Sequence, residues 1–261
     1  MNILFIGDIV GHGGRTAVQK LVPGLRSEFN LSMVIANAEN VAAGAGLTAS
    51  CLKELRNSVD FFTAGDHIWD QKDFEKEIAA IPNIVRPANL SSLQPGVGMK
   101  IVRNPAAGEI AVIALQGKVF MRDSAYCPFE TVEKLLNKIP ASVKTVLVDF
   151  HAEATSEKLA MGYFLDGKVT AVIGTHTHVQ TNDAKILAGG TAYLTDAGMV
   201  GAEYSVLGRK VEEVLKKFRT GMPRRLPVAE GLIRLDGCVI TYDHLTGRAG
   251  KIQPISRSVE V

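Results

Sequence analysis

The chain has 261 residues, 46% hydrophobic and 21% charged, with a formal net charge of +2; this excludes a disordered chain and gives no basic run that would argue for an extended nucleic-acid surface. Its three cysteines, Cys51, Cys127 and Cys238, are widely spaced and odd in number, which suggests neither a disulfide framework nor a zinc knuckle and fits free thiols in a reducing compartment. No signal-like segment opens the chain and no apolar stretch reaches the roughly 20 residues of a membrane span, which leads us to expect a soluble, cytoplasmic protein with no membrane partner.

The first element is an apolar run, Ile3-Leu4-Phe5-Ile6, that stops at Gly7-Asp8. Such a run bounded by glycine reads as a buried strand. Ala17, Val18, Leu21, Leu25 and Phe29 give helical spacing over 13–29, with Pro23 a kink or break. Met33-Val34-Ile35-Ala36 is a strand that leads to Glu39-Asn40. The Gly/Ala-rich stretch 41–47 reads as a loop, and Thr48 can cap a helix running to about Asn57. Phe61-Phe62-Thr63-Ala64 is a third strand, ending at Gly65-Asp66-His67. A helix is expected over 70–80, a short strand at Ile84-Val85, and turns over 91–98. Met99–Val102 and Ile110–Leu115 look like a hairpin around residues 104–109. The stretch 119–129 has no clear period and reads as a loop or a small cap near the site. A helix follows over 131–138.

Val146–Phe150 is a strand that delivers His151, with a helix over 155–165 behind it. Ala171–Gly174 delivers His176-Thr177-His178, and Ala192–Thr195 ends at Asp196. A helix is expected over 211–218 and an antiparallel strand or hairpin over 231–242. Early alternation of strand and helix argues for parallel βαβ units, and the later part is richer in strands. A four-layer αββα sandwich with two mixed β-sheets fits both halves. No repeat or linker divides the chain, so residues 1–261 are expected to form a single domain.

The chemistry lies in how these strands end. Open α/β sheets place their sites just beyond the carboxyl ends of strands. Here five such ends carry metal-ligand residue types: Asp8; Glu39 and Asn40; Asp66; His151; and His176 with His178. A mixture of carboxylate and imidazole suits Mn, Fe or Zn better than Ca or a thiolate zinc site. Seven ligands exceed the needs of one ion but suit two ions sharing a carboxylate, an arrangement used to attack phosphorus. Residues two apart in an extended segment face the same way, so His176 and His178 are expected to converge on one site.

His67 follows Asp66 directly and cannot point with it from an extended backbone. It is therefore a candidate acid or base beside the metals, the alternative being a ring packed on Trp69. Gly11-His12-Gly13-Gly14 lacks dinucleotide-binding spacing; these glycines are expected to let the backbone pass close to the metals, with His12 exposed.

These residues have a familiar arrangement. The Gly-Asp strand end, the Gly-Asp-His turn, the lone histidine and Gly-Thr-His-Thr-His resemble the calcineurin-like metallophosphoesterases. The resemblance is closer to the bacterial YmdB-like phosphodiesterases, and it runs over nearly the whole chain. It is carried by FIGDIVG at 5–11, Glu39-Asn40, IVRPAN at 84–89, DFHAEATSEK at 149–158, GTHTHVQ at 174–180 and VAEG at 228–231. The resemblance implies that Asp8, Glu39, Asn40 and His178 hold one metal. It implies that Glu39, Asp66, His151 and His176 hold the other, with Glu39 bridging and His67 the proton donor. It further implies iron as a natural metal, with manganese or zinc serving, a cyclic nucleotide or related phosphodiester as substrate, and a homo-oligomer. The family's turn usually reads Gly-Asn-His; Asp66 keeps an oxygen at the same reach and adds a negative charge.

The expected activity is thus phosphodiester hydrolysis, of 2′,3′- or 3′,5′-cyclic nucleotides among others, by a metal-bridging hydroxide with His67 protonating the leaving oxygen. Two rivals stand beside it. One is a phosphomonoesterase or nucleotidase on the same site, for which Arg15 and Arg86 are the candidate phosphate-binding cations. The other is a regulatory protein of RNA metabolism whose metals are structural.

Overall fold

The computed structural model describes residues 1–105, 107–122 and 124–261. Ala106, where a hairpin turn is expected, and Asp123, in the stretch without a clear period, lie outside the described residues. In chain order the strands are β1 (Asn2–Ile6), β2 (Asp8–Ile9), β3 (Met33–Asn37), β4 (Phe61–Thr63), β5 (Met99–Asn104), β6 (Gly108–Gln116), β7 (Thr145–His151), β8 (Ala171–Thr175), β9 (Lys185–Ile186), β10 (Ala192–Leu194), β11 (Met199–Ala202), β12 (Leu232–Tyr242) and β13 (Ala249–Glu260). The helices are α1 (Gly11–Phe29), α2 (Ala49–Leu55), α3 (Phe74–Glu77), α4 (Pro128–Leu136), α5 (Thr155–Phe164) and α6 (Val211–Thr220).

The strands form two mixed sheets. One runs β2-β11-β12-β1-β3-β4, with β13 also paired to β12; the other runs β5-β6-β7-β8-β10-β9. Within them β1-β3-β4 and β6-β7-β8-β10 are parallel. Their period-2 sequences sort side chains between layers. Ile3, Phe5, Met33 and Ile35 face Ile110, Val112, Leu147 and Ile173 in a core between the sheets. The alternate residues Leu4, Ile6, Val34 and Ala36 pack on Ala17, Val18, Val22 and Leu25 of α1. On the other side Ile113, Val148 and Val172 pack on Val132 of α4 and Met161 of α5. This is the expected αββα order, and the parallel strands deliver their carboxyl ends to one edge. Among the described residues no helix is long and apolar enough to cross a membrane.

Several elements differ from expectation for identifiable reasons. Pro23 does not break α1; it is exposed, so water can serve the carbonyl that loses its partner. The helix expected over 70–80 starts only at Phe74, after Asp73 at φ 75°, and closes as a 3-10 turn at Ile78–Ala80. Ile84 makes a single parallel bridge to Phe62 rather than a strand. Strand β13 escapes a pattern search because polar residues interrupt its alternation and Pro254 lies within it; as an edge strand paired to β12 alone it tolerates the proline. Thr48 caps α2 as expected, its Oγ1 accepting from Cys51 N–H at 3.2 Å.

Candidate metal centre

At the end of β1 the chain bends at Gly7. Asp8 leaves that strand to pair beside β11, and its N–H bonds Gly198 O at 3.1 Å. This turns the Asp8 carboxylate inward, where it is fully buried with Glu39 and Asn40 beside it. Asn40 Nδ2 lies 3.4 Å from Asp8 Oδ1, 3.2 Å from Glu39 Oε1 and 3.3 Å from His178 Nε2. Turning the amide over would put its oxygen, a metal ligand, at the same point.

The second half of the site is tighter. His151 Nε2 is 3.1 Å from Glu39 Oε1 and 3.0 Å from Asp66 Oδ1, and His176 Nδ1 is 3.1 Å from His151 Nε2. One ligand atom from each of Glu39, Asp66, His151 and His176 lies within 4.8 Å of all the others. Glu39 touches both halves. A Cβ on Gly65 would stand 2.2 Å from the His151 ring and 2.4 Å from Glu39 Oε2, so only glycine lets this turn approach the cluster.

The groups behind the ligands fix which imidazole nitrogen faces inward. Thr175 Oγ1 lies 2.9 Å from His151 Nδ1 and donates onward to Asp149 at 2.6 Å. It can therefore accept Nδ1–H and leave Nε2 for the cluster. Asn37 and Thr63 also donate to Asp149; burial pushes this carboxyl up to about 6 in spite of those bonds. His178 Nδ1 faces Leu207 O at 3.2 Å, again leaving Nε2 inward. His176 reverses the pattern: Nε2 pairs with Glu153 at 3.0 Å and Nδ1 turns inward.

The electrostatics ask for cations. Asp8, Glu39 and Asp66 place three buried carboxylates together. Burial would raise Asp8 and Asp66, but hydrogen bonds and charge from His178, His151 and His176 hold both well below the usual carboxylate range. Burial would likewise lower His151, yet Glu39 and Asp66 drive it well above the usual histidine value. His178 is raised in the same way, chiefly by Asp8 against burial. With neutral imidazoles the cluster carries three negative charges, and its donor set of carboxylate and imidazole fits a metal centre.

The convergence of His176 and His178 has a different origin from the extended segment expected. Strand β8 ends at Thr175, and both histidines are left-handed, at φ 100° and 62°. Such residues cost on the order of 1–3 kcal/mol each. The turn is held by fully buried Asp196, whose carboxylate accepts Thr177 N–H and Oγ1–H at 3.0 and 2.7 Å and pairs with buried Lys158 Nζ at 2.6 Å. Lys158→Met would leave Asp196 buried and unpaired, a change that costs about 3–5 kcal/mol. Urea unfolding checks this, and a loss below about 1 kcal/mol would contradict it.

His67 sits apart from the ligand cluster. Its N–H bonds Glu39 Oε2 at 3.1 Å, and its Nδ1 is 2.6 Å from Asp70 Oδ2. Trp69 packs against Phe74 instead, so His67 is not a core ring resting on it. With Nδ1 engaged, Nε2 is left for the cavity of about 280 Å³ that His67 lines together with Glu39, Asn40, His176 and His178.

The glycines after Asp8 serve α1 rather than the metals: a Cβ on Gly14 would meet Val200 O at 2.5 Å, and one on Gly13 would meet Ile233 at 2.9 Å. His12 is exposed as expected. Neither arginine considered for phosphate binding is available. Arg15 pairs with Glu54 at 2.7 Å, and buried Arg86 donates to four backbone carbonyls. Arg209 is the arginine that lines the cavity instead. It lies in a turn after Leu207 and Gly208, both at positive φ, where no strand end or period marks it. Asp70, Glu153 and the Lys158–Asp196 pair were missed as site residues as well, although Asp196 stands at a strand end and Glu153 and Lys158 lie in the DFHAEATSEK string.

Two mixed sheets stacked face to face, with acidic and imidazole ligands at their shared carboxyl edge, define a metallophosphoesterase architecture. A solved structure described as the calcineurin-like phosphoesterase YfkN from Bacillus subtilis shares that fold, at a TM-score of 0.53 and 12% identity, over 99% of this chain and 90% of that one. A family model described as "YmdB-like protein" matches residues 4–255, and the chain belongs to this family. A protein of Bacillus subtilis (strain 168) named 2′,3′-cyclic-nucleotide 2′-phosphodiesterase is 44% identical over 256 residues, which cover 98% of this chain and 96% of that protein. The solved structure of a protein from Mycoplasma pneumoniae, described as a novel phosphatase, superposes with a TM-score of 0.92 at 32% identity, over 100% of this chain and 94% of the other.

Proposed function

We propose that the whole chain, as one unit, is a metal-dependent phosphodiesterase that opens cyclic nucleotides, 2′,3′-cyclic ones first. The observation that carries this reading is the set of inward-facing ligand atoms of Glu39, Asp66, His151 and His176 within 4.8 Å of one another, adjoining Asp8, Asn40 and His178. The first four would hold one ion and Asp8, Glu39, Asn40 and His178 the other, with iron the expected metal and manganese or zinc able to serve. When bound, the ions supply an activated water and neutralise charge on the phosphate oxygens. The residues themselves do the rest. Thr175, Asp149 and Leu207 O hold the imidazoles in their ligating tautomers. His67 Nε2 gives its proton to the ester oxygen as the new P–O bond forms and the old one breaks, and Asp70 fixes the ring from the other side. The name of the Bacillus subtilis relative supports the cyclic substrate. The absence of a membrane-spanning helix among the described residues is compatible with the cytoplasm, and exposed Leu215, Phe218 and Met222 on and after α6 with a homo-oligomer.

With Arg15 and Arg86 committed elsewhere, Arg209 is the single arginine or lysine lining the cavity among the described residues, which favours a monoanionic diester over a dianionic monoester that gains more from additional cations. Parallel assays with a nucleoside 2′,3′-cyclic phosphate, a 3′,5′-cyclic nucleotide, bis(p-nitrophenyl) phosphate and p-nitrophenyl phosphate test the reading. Diesters are expected to turn over at least about 10-fold faster than the monoester, a difference of roughly 1.4 kcal/mol in barrier. Chelation should abolish this activity and manganese restore it. Preference for the monoester, or full activity after exhaustive chelation, would contradict the proposal.

A further inference from the structure

Arg209 lines two cavities. On one side is the space over the ligand cluster; on the other is a larger cavity of about 730 Å³. The guanidinium that separates them is half-buried and held by backbone carbonyls alone, Leu226 O at 3.1 Å from Nη1 and Gly44 O on Nη2. Among the described residues no carboxylate pairs with it. Burial pulls its pKa down, as expected for a cation that lacks a counter-ion. An anion shared between the two cavities would supply one.

The larger cavity has a distinct composition. Leu226, Pro227, Val228 and Ile233 give it an apolar wall. Packed on that wall is the first turn of α1, a 19-residue helix whose Gly11, His12 and Gly13 also line the cavity, so the helix's positive end lies there. At the rim stands Arg225, exposed and without an ion pair among the described residues, while Glu230 is the one acidic side chain among the lining residues. A volume of several hundred Å³ with an apolar wall and a few polar anchors is that of a small-ligand site. An apolar wall between two cations matches a nucleoside between two phosphates.

We propose that this cavity is a nucleoside subsite continuous with the catalytic cavity, in which Arg209 contacts the scissile phosphate and Arg225 receives a second phosphate on the 5′ side of the same nucleoside. This rests on the phosphodiesterase reading above and makes it specific. The preferred substrate is a nucleoside 2′,3′-cyclic phosphate that also carries a 5′-phosphate, either free or joined to a preceding nucleotide.

The test compares wild type, Arg225→Gln and Thr16→Trp, the last placing an indole in the cavity from the exposed side of α1. Four substrates are used: a nucleoside 2′,3′-cyclic phosphate, its 5′-phosphorylated form, a dinucleotide ending in the cyclic phosphate, and bis(p-nitrophenyl) phosphate. Wild type should show a KM about 10-fold lower for both substrates with a 5′-phosphate, the scale of one charge-assisted contact at a partly exposed site. Arg225→Gln should erase that difference, and Thr16→Trp should raise KM for all three nucleotides. Neither should alter kcat on bis(p-nitrophenyl) phosphate. In chelator-treated protein, calorimetry should show a nucleoside 3′,5′-bisphosphate binding more weakly to Arg225→Gln than to wild type. Equal KM with and without the 5′-phosphate would overturn the subsite while leaving the phosphodiesterase reading intact. A preference for the dinucleotide alone would overturn the role of Arg225. No hydrolysis of any diester by wild type would overturn both readings.

Discussion

His151→Ala is expected to release about one metal ion per chain and to lower turnover by about 10³-fold or more, since a catalytic ion supplies several kcal/mol of charge stabilisation. The ring contributes the one nitrogen that lies within about 3 Å of both Glu39 and Asp66. Without it those carboxylates are left buried and facing each other with a ligand missing. His178→Ala should produce a similar loss from the other half, where Asp8 and Asn40 would remain with Glu39. The double variant should hold neither ion. Metal analysis of each purified variant reads this directly, and circular dichroism shows whether the fold survives the vacated space around fully buried His151. Retention of two ions by both single variants would contradict the division of ligands. The same groups set the pH dependence. In the metal-free protein His151 and His178 are raised above their ordinary pKa, so both hold protons more readily than free histidines. Metals must displace those protons, and affinity should rise with pH through the region where these imidazoles titrate.

His67→Ala should behave differently. Its ring is held by Asp70, outside the ligand cluster, so both ions should remain bound. Loss of a general acid costs about 10²–10⁴-fold. A nitrophenolate leaves with little protonation whereas a ribose alkoxide needs it, so the loss should be large on a cyclic nucleotide and small on bis(p-nitrophenyl) phosphate. Asp70→Asn should fall between wild type and His67→Ala, because it frees the ring without removing it. Equal losses on good and poor leaving groups would show that His67 acts through position or binding instead. An ion missing from His67→Ala would show the same.

The sheets and the polar strand ends were legible in the sequence for one reason. A buried parallel strand needs an uninterrupted apolar run, so a carboxylate or imidazole immediately after it stands out. Asp8, Glu39, Asp66 and His151 were visible in this way. What surrounds them was less so. The backbone turns at His176 and His178 depend on Asp196 and Lys158, which lie 20 residues or so away and are brought close only by folding. Arg209 reaches the cavity from a turn whose geometry rests on its neighbours' positive φ angles, which no periodicity reports. Strand β13 was hidden because an edge strand needs only one paired side and half a buried face. Pattern reading thus finds residues whose position follows from their own segment and misses those whose role is assigned by a distant one.

The central claim is that two ions sit in this site, joined by Glu39. Anomalous diffraction from crystals loaded with manganese or iron tests it most directly. Two peaks about 3.5–4 Å apart are expected, one beside Asp8, Asn40 and His178, the other beside Asp66, His151 and His176, with the Glu39 carboxylate between them. A single peak at full metal loading, or a pair that leaves Glu39 or His178 without contact to metal, would contradict the account.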